Sequence, residues 1–203
     1  MLAPITWLGH ASVRIAGDQV ICIDPWKLRH AQPADLVLIT HPHHDHCSPQ
    51  DVQSICTEGT ILVGTPDCKA KLRRELHAVS PGDSLTFGAV TIEAVPAYNL
   101  GRAFHPRANG WVGYVITTGG VRVYHAGDTD FIPEMGDIRA DVALLPVGGT
   151  YTMDARQAAQ AADLIAPKLA IPIHFGDIAG TSLDAAQFAQ LCRCEVRILE
   201  PEE

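Results

Sequence analysis

One short stretch, His41-Pro42-His43-His44-Asp45-His46, constrains this chain more than any other. It holds four of the ten histidines. It follows Leu36-Val37-Leu38-Ile39-Thr40, an apolar run that reads as a buried strand. Pro42 disfavours the α region for His41, so the histidines open a loop and not a helix. A buried strand that ends in clustered imidazoles and a carboxylate points to a metal site.

The chain has 203 residues, which suits one domain or two closely fused halves. We take 1–203 as one domain, long enough to bury a core without disulfides or structural metals. Apolar content of 47% against 19% charged places it among ordinary globular chains. No apolar run approaches the roughly eighteen residues of a membrane span. The start, Met1-Leu2-Ala3-Pro4-Ile5-Thr6-Trp7, has no basic segment leading into an apolar one, so a cytoplasmic location is expected. The net charge of −8 argues against non-specific nucleic-acid binding, while leaving room for a local basic mouth over a site. The oligomeric state stays open, and a homo-oligomer is compatible with the sequence. Cys22, Cys47, Cys56, Cys68, Cys192 and Cys194 show no C-x-x-C spacing and read as reduced, small hydrophobes. Cys47 follows His46 directly, but hydrolytic sites built on hard oxygen ligands rarely need a thiolate.

Taken in order, 5–8 and 12–15 read as a hairpin around Gly9-His10, and 20–23 as a strand ended by Asp24-Pro25. Ser48-Pro49 caps a helix to about Cys56. A strand at 61–63 precedes Thr65-Pro66, which opens a helix over 67–76. A hairpin over 84–87 and 90–95 precedes an aperiodic loop, 98–110. Gly119-Gly120 turns a hairpin of 111–117 and 121–125. A strand at 141–146, an alanine-rich helix at 154–165 capped by Thr152 or Asp154, and a strand at 169–173 follow. Ser182 caps a last helix to about Cys192, and 195–199 reads as a strand before a solvated tail, Pro201-Glu202-Glu203. Strands interspersed with four helices predict two mixed sheets packed face to face with helices outside.

His41 and His43, at i and i+2 in extended backbone, point the same way and can share one metal. Asp45 and His46 can face a second metal beside it. One loop cannot complete two sites, so later strand ends and loops must contribute. Asp128, His174 and His105 qualify. His30 and His77 sit in polar contexts and read as solvated, and His125 as structural or as support for a ligand.

These residues, with Trp7-Leu8-Gly9-His10, Ile23-Asp24-Pro25, His125-Ala126-Gly127-Asp128-Thr129 and Ile171-Pro172-Ile173-His174, resemble the motifs of the metallo-β-lactamase superfamily in their usual order. The likeness runs from about residue 5 to 175. It is strongest to the small single-domain metal-dependent hydrolases, a branch that also resembles L-ascorbate-6-phosphate lactonases and phospholipase D enzymes acting on N-acyl phosphatidylethanolamines. The resemblance implies an αββα sandwich with two divalent ions at one edge, Zn2+ first, with Mn2+ or Fe2+ as alternatives. It implies that His41, His43 and a third histidine hold one ion. Asp45, His46 and His174 hold the other, and Asp128 bridges. The family often places the third histidine shortly after a strand of the 90–95 type. This chain has Ala97-Tyr98-Asn99 there, so His105 takes the role.

With two ions, a bridging water would become the nucleophile against an ester, lactone or phosphodiester of a small molecule. Asp45 could orient or deprotonate that water, and His10 or His44 could protonate the leaving group. Asp24 reads either as a partner of a ligand imidazole or as a strand-end turn residue. Arg102 and Arg107 flank His105 and could grip a phosphate or carboxylate on an anionic substrate. The loops 98–110 and 148–152 are expected to border the pocket. A mononuclear-iron dioxygenase on the same scaffold is the competing reading. A di-iron reductase fits less well, because position 43 is histidine and no flavin domain is present. A non-catalytic metal-binding protein would be expected to have lost a ligand.

Overall fold

The computed structural model describes residues 4–202. The leader reading at Met1–Ala3 and the last tail residue, Glu203, lie outside them.

Among the described residues the first sheet has six strands in the order β1 (Ile5–Gly9), β2 (Ser12–Ala16), β3 (Val20–Ile23), β4 (Ala34–Ile39), β5 (Cys56–Gly64), β6 (His77–Ala78). The pairs β1/β2 and β2/β3 are antiparallel, and β3 to β6 run parallel. The second sheet has β7 (Ser84–Phe87), β8 (Val90–Pro96), β9 (Val112–Thr118), β10 (Val121–His125), β11 (Val142–Pro146), β12 (Leu169–Ile173) and β13 (Glu195–Val196). There β7 to β10 are antiparallel neighbours and β10 to β13 parallel ones. Both sheets are mixed, as predicted.

Alternation along the strands decides the layers. Leu36 and Leu38 of β4, Ile21 and Ile23 of β3, and Val63 of β5 join the main core with Ile92, Tyr114 and Ile116 of the second sheet. The residues between them, Val37, Ile39, Cys22 and Leu62, face the other way. They pack with Val52 and Ile55 of α1 (Pro49–Ile55) and Cys68 and Leu72 of α2 (Pro66–Leu72). A strand buried on both faces reads as a continuous apolar run for this reason. Helices α3 (Ala155–Ile165) and α4 (Ser182–Leu191) cover the second sheet. Ala158, Ala161 and Ala162 let α3 sit close against it. The architecture is the αββα sandwich.

Several boundaries differ from the sequence reading. The second helix stops at Leu72, where Arg73 turns left-handed at φ 52, and 73–76 is a turn leading into β6 where more helix was expected. Leu72 and Leu76 keep helical spacing, which is what misleads. Asp154, not Thr152, caps α3 in a capping box with Gln157. Thr181, not Ser182, caps α4 in a box with Asp184. The final strand is two residues long. Beyond it the chain crosses to the other sheet, where the Glu202 amide donates to Trp7 O at 2.9 Å and its carboxylate pairs with Arg14. Pro201 and Glu202 are half-buried, so this tail is not solvated. No helix among the described residues is long and apolar enough to cross a membrane.

The sheets meet at one edge. Val112 N–H donates to Thr40 O at 3.3 Å, and Tyr114 Oη donates to Ile39 O at 2.7 Å. At Gly113 a Cβ would lie 2.7 Å from the carbonyl oxygens of both His125 and Ala126. Backbone cannot yield there as a side chain can, so Gly113→Ala is expected to destabilise the fold by about 1–3 kcal/mol. A urea midpoint lowered at unchanged slope would show it, and an unchanged midpoint would contradict the close approach.

Candidate metal centre

The strand ends deliver the site. β4 feeds the histidine loop, β10 leads to Asp128, β12 ends at His174, and the β1–β2 turn carries His10. The loop is tight, because the amides of His46 and Cys47 both donate to His43 O, at 3.2 and 2.8 Å. His10, Asp24 and His174 all have positive φ, 50, 47 and 58. Such backbone is uncommon away from glycine and clusters at functional sites.

Two sets of ligand atoms converge. In the first, His41 Nε2 is 3.0 Å from His43 Nδ1, which is 3.2 Å from His105 Nε2. In the second, atoms of His10, Asp45, His46 and His174 gather. Asp45 Oδ2 lies 3.1 Å from His10 Nε2, 3.5 Å from His46 Nε2 and 3.9 Å from His174 Nε2. Asp128 stands between the sets. Its Oδ2 is 3.2 Å from His105 Nε2, and its Oδ1 is 3.2 Å from both His46 Nε2 and His174 Nε2.

The partners behind the imidazoles assign their tautomers. Thr40 Oγ1 donates to Asp24 Oδ2 at 2.6 Å and so accepts from His41 Nδ1 at 3.0 Å. His46 Nδ1 donates to the same Asp24 oxygen at 2.7 Å, and His105 Nδ1 donates to Asn99 Oδ1 at 2.9 Å. In the neutral rings each Nε2 is then a bare lone pair turned toward the cluster. Metal-binding histidines are oriented in this way.

The electrostatics ask for a cation. Burial pushes the His41 and His10 imidazoles down, and His43 to about 4. Burial alone would raise the Asp45 and Asp128 carboxyls. The facing imidazoles, His10 and His46 at Asp45 and His174 and His46 at Asp128, overcome it and hold both below the carboxylate range. Burial would likewise lower His46, but the Asp128 and Asp24 carboxylates win and raise it well above its usual value. His46 Nε2, Asp128 Oδ1 and His174 Nε2 are buried without a hydrogen-bond partner among the described residues. Orphaned lone pairs of this kind are costly unless something charged sits between them. The donor set, imidazole nitrogen and carboxylate oxygen, fits divalent metal ions.

The other residues singled out in the sequence fall as follows. Asp24 is fully buried, and its carboxylate also accepts from Thr40 N–H at 2.8 Å, so it supports ligands and is no mere turn former. His44 is exposed, with Nδ1 3.5 Å from Asp45 Oδ1. His125 is held by Ala11 O at 2.9 Å and by the Gly127 amide, a structural role. His30 and His77 are exposed. The six cysteines are free, and Cys47 is buried. Arg102 Nη1 donates to the carbonyls of Gly149, Thr150 and Thr152, and Arg107 pairs with Glu134 at 2.8 Å. Both arginines are therefore engaged outside the cluster. Sequence reasoning missed Asn99, which stands where the family often has its third histidine. It also missed Trp111, whose ring lies 4.9 and 4.8 Å from those of His41 and His43. Its indole N–H donates to Asp67 at 2.7 Å, fixing that wall.

Comparison with known proteins agrees with this geometry. A family model described as the beta-lactamase superfamily domain matches residues 4–174. A UPF0173 metal-dependent hydrolase of Aeropyrum pernix is 36% identical, over 100% of this chain and 96% of that protein. A Parabacteroides distasonis protein of known structure superposes with a TM-score of 0.89 at 35% identity, covering 98% of this chain and 93% of its own. Igni18, a metallo hydrolase from Ignicoccus hospitalis, gives 0.80 at 27% identity, over 98% and 95%. The chain belongs to the metallo-β-lactamase superfamily, among its UPF0173 metal-dependent hydrolases.

Proposed function

We propose that this protein is a cytoplasmic hydrolase of a small molecule, cleaving an ester, lactone or phosphodiester with two divalent ions, zinc first. The observation that carries the reading is the position of Asp128, with one carboxylate oxygen beside each histidine set. His41, His43 and His105 would hold one ion. Asp45, His46 and His174 would hold the other, with Asp128 between. Bound there, the ions supply an acidified water and a positive pole for the oxygen that gains charge.

The chain's own groups do the rest. Asp24 and Asn99 keep the imidazoles in register. Asp45 Oδ2, 3.1 Å from His10 Nε2, can accept a hydrogen bond from the water and orient it. Burial disfavours the charged form of His10, whereas the exposed His44 is placed to give a proton to a leaving group at the cleft mouth. The cleft is small, about 230 Å3, and the net charge is −8. Both support a small-molecule substrate over a nucleic acid.

His43→Ala and Asp128→Ala are expected to lose bound metal and hydrolysis together. Elemental analysis beside an ester and phosphodiester assay checks this, and two ions retained in either variant would refute the ligand assignment. Asp24→Asn keeps the shape but removes the charge behind His46. Zinc affinity is expected to fall about 10–100-fold, read by competition with a chromophoric chelator.

The Asp128 and Asp24 carboxylates raise the His46 imidazole well above its usual value in the metal-free protein, so zinc uptake competes with a proton there. Affinity is therefore expected to weaken as pH falls. Calorimetry at pH 7 in buffers of different ionisation enthalpy should show net proton release on zinc binding. Zinc binding with no buffer dependence would contradict it.

A further inference from the structure

The floor of the cleft is chemical: His43, His44, Asp45, His105 and Asp128 line it. Its wall is apolar, made by Phe104, Tyr151 and Ile178. No lysine or arginine among the described residues lines it. A phosphate or carboxylate held against Phe104 and Ile178 would lose water there with no lysine or arginine to pair with. Phe104 is 50% exposed, an apolar ring left open at the mouth. It packs edge to face on Tyr151, with centroids 4.8 Å apart and planes at 88°.

This wall is braced. Arg102 Nη1 binds the carbonyls on both sides of Tyr151, those of Thr150 and Thr152, at 3.1 and 3.0 Å. Asn99 Nδ2 donates to the Tyr151 carbonyl itself at 2.9 Å, while Asn99 Oδ1 accepts from His105 Nδ1. Phe104 is the chain neighbour of His105. The same contacts that aim a ligand imidazole therefore fix the apolar wall at a set distance from it. The cleft measures about 230 Å3, more than the roughly 150 Å3 that holds a benzene-sized guest, so a single ring fits against this wall.

Resting on the hydrolase reading above, we propose that the substrate is an uncharged ester or lactone carrying one compact apolar group, ring-sized, held against Phe104, Tyr151 and Ile178. Water oxygen bonds to the acyl carbon, and the carbon–oxygen bond to the alcohol breaks. One water proton ends on the alcohol oxygen, giving a carboxylic acid and an alcohol, or one hydroxy acid from a lactone. Phe104 and Tyr151 set specificity, and Arg102 is a positioning residue for the wall.

The test uses the zinc-loaded full chain and binding probes that need no turnover. Benzohydroxamic acid is expected to bind about tenfold more tightly than acetohydroxamic acid by calorimetry, from ring burial and aromatic contact. Phe104→Ala should bring that ratio to about one with zinc per chain unchanged. Tyr151→Ala, on the other loop, should lower the same ratio, which guards against a folding defect in the first variant. Arg102→Ala should reduce it while leaving zinc in place. Equal binding of the two hydroxamates by the unaltered protein, or a ratio that survives both wall variants, would overturn the proposal. So would tighter binding of 4-carboxybenzohydroxamic acid than of the uncharged ring. Failure to hydrolyse phenyl acetate and γ-phenyl-γ-butyrolactone, with the hydroxamate ratio intact, would keep the apolar wall and remove the ester or lactone reaction.

Discussion

The site hangs on one buried carboxylate. Asp24 is fully buried at the end of β3, in left-handed backbone, and its two oxygens reach Thr40 and His46 across the start of the histidine loop. A carboxylate taken out of water must be repaid with hydrogen bonds, and those bonds fix the ring planes of His41 and His46. The aim of the ligand lone pairs follows, as does the convergence of Asp45, Asp128 and His174 on them. Without that anchor the loop would be a polar turn at a sheet edge. With it, several imidazoles and two further carboxylates are crowded into a volume that only positive charge makes tolerable.

Much of this was legible in the sequence because it is local. The alternation in Leu36 to Ile39 marks a strand covered on both faces, and Pro42 marks where it becomes a loop. The i and i+2 spacing of His41 and His43 places two nitrogens together, as found. What was not legible is carried by contacts between distant positions. Asn99 and Tyr151 are 52 residues apart, and Arg14 and Glu202 188 apart. No periodicity or cap signal records such pairs. Asn99 had no role in the sequence reading and is the partner that orients His105. Arg102 looked like a substrate clamp and instead ties two loops together. In both cases a partner lies on a distant part of the chain.

The braced cleft links fold to selectivity. Two sheets meeting at one edge put most of the candidate ligands at strand ends, while the loop over 98–110 brings His105 and closes above them with 148–152. Because those loops are tied to each other through Arg102 and Asn99, the mouth is preorganised and not a set of free loops. Strand ends that carry most of the candidate ligands, with loops that shape the mouth above them, form an arrangement that lets one scaffold serve many substrates.

The central claim is that two ligand sets share Asp128, and metal content tests it most directly. Protein purified without chelators or an affinity tag should carry two equivalents of zinc or manganese per chain by elemental mass spectrometry. A single equivalent of iron, with oxygen uptake on turnover, would contradict the account and move the dioxygenase chemistry into its place.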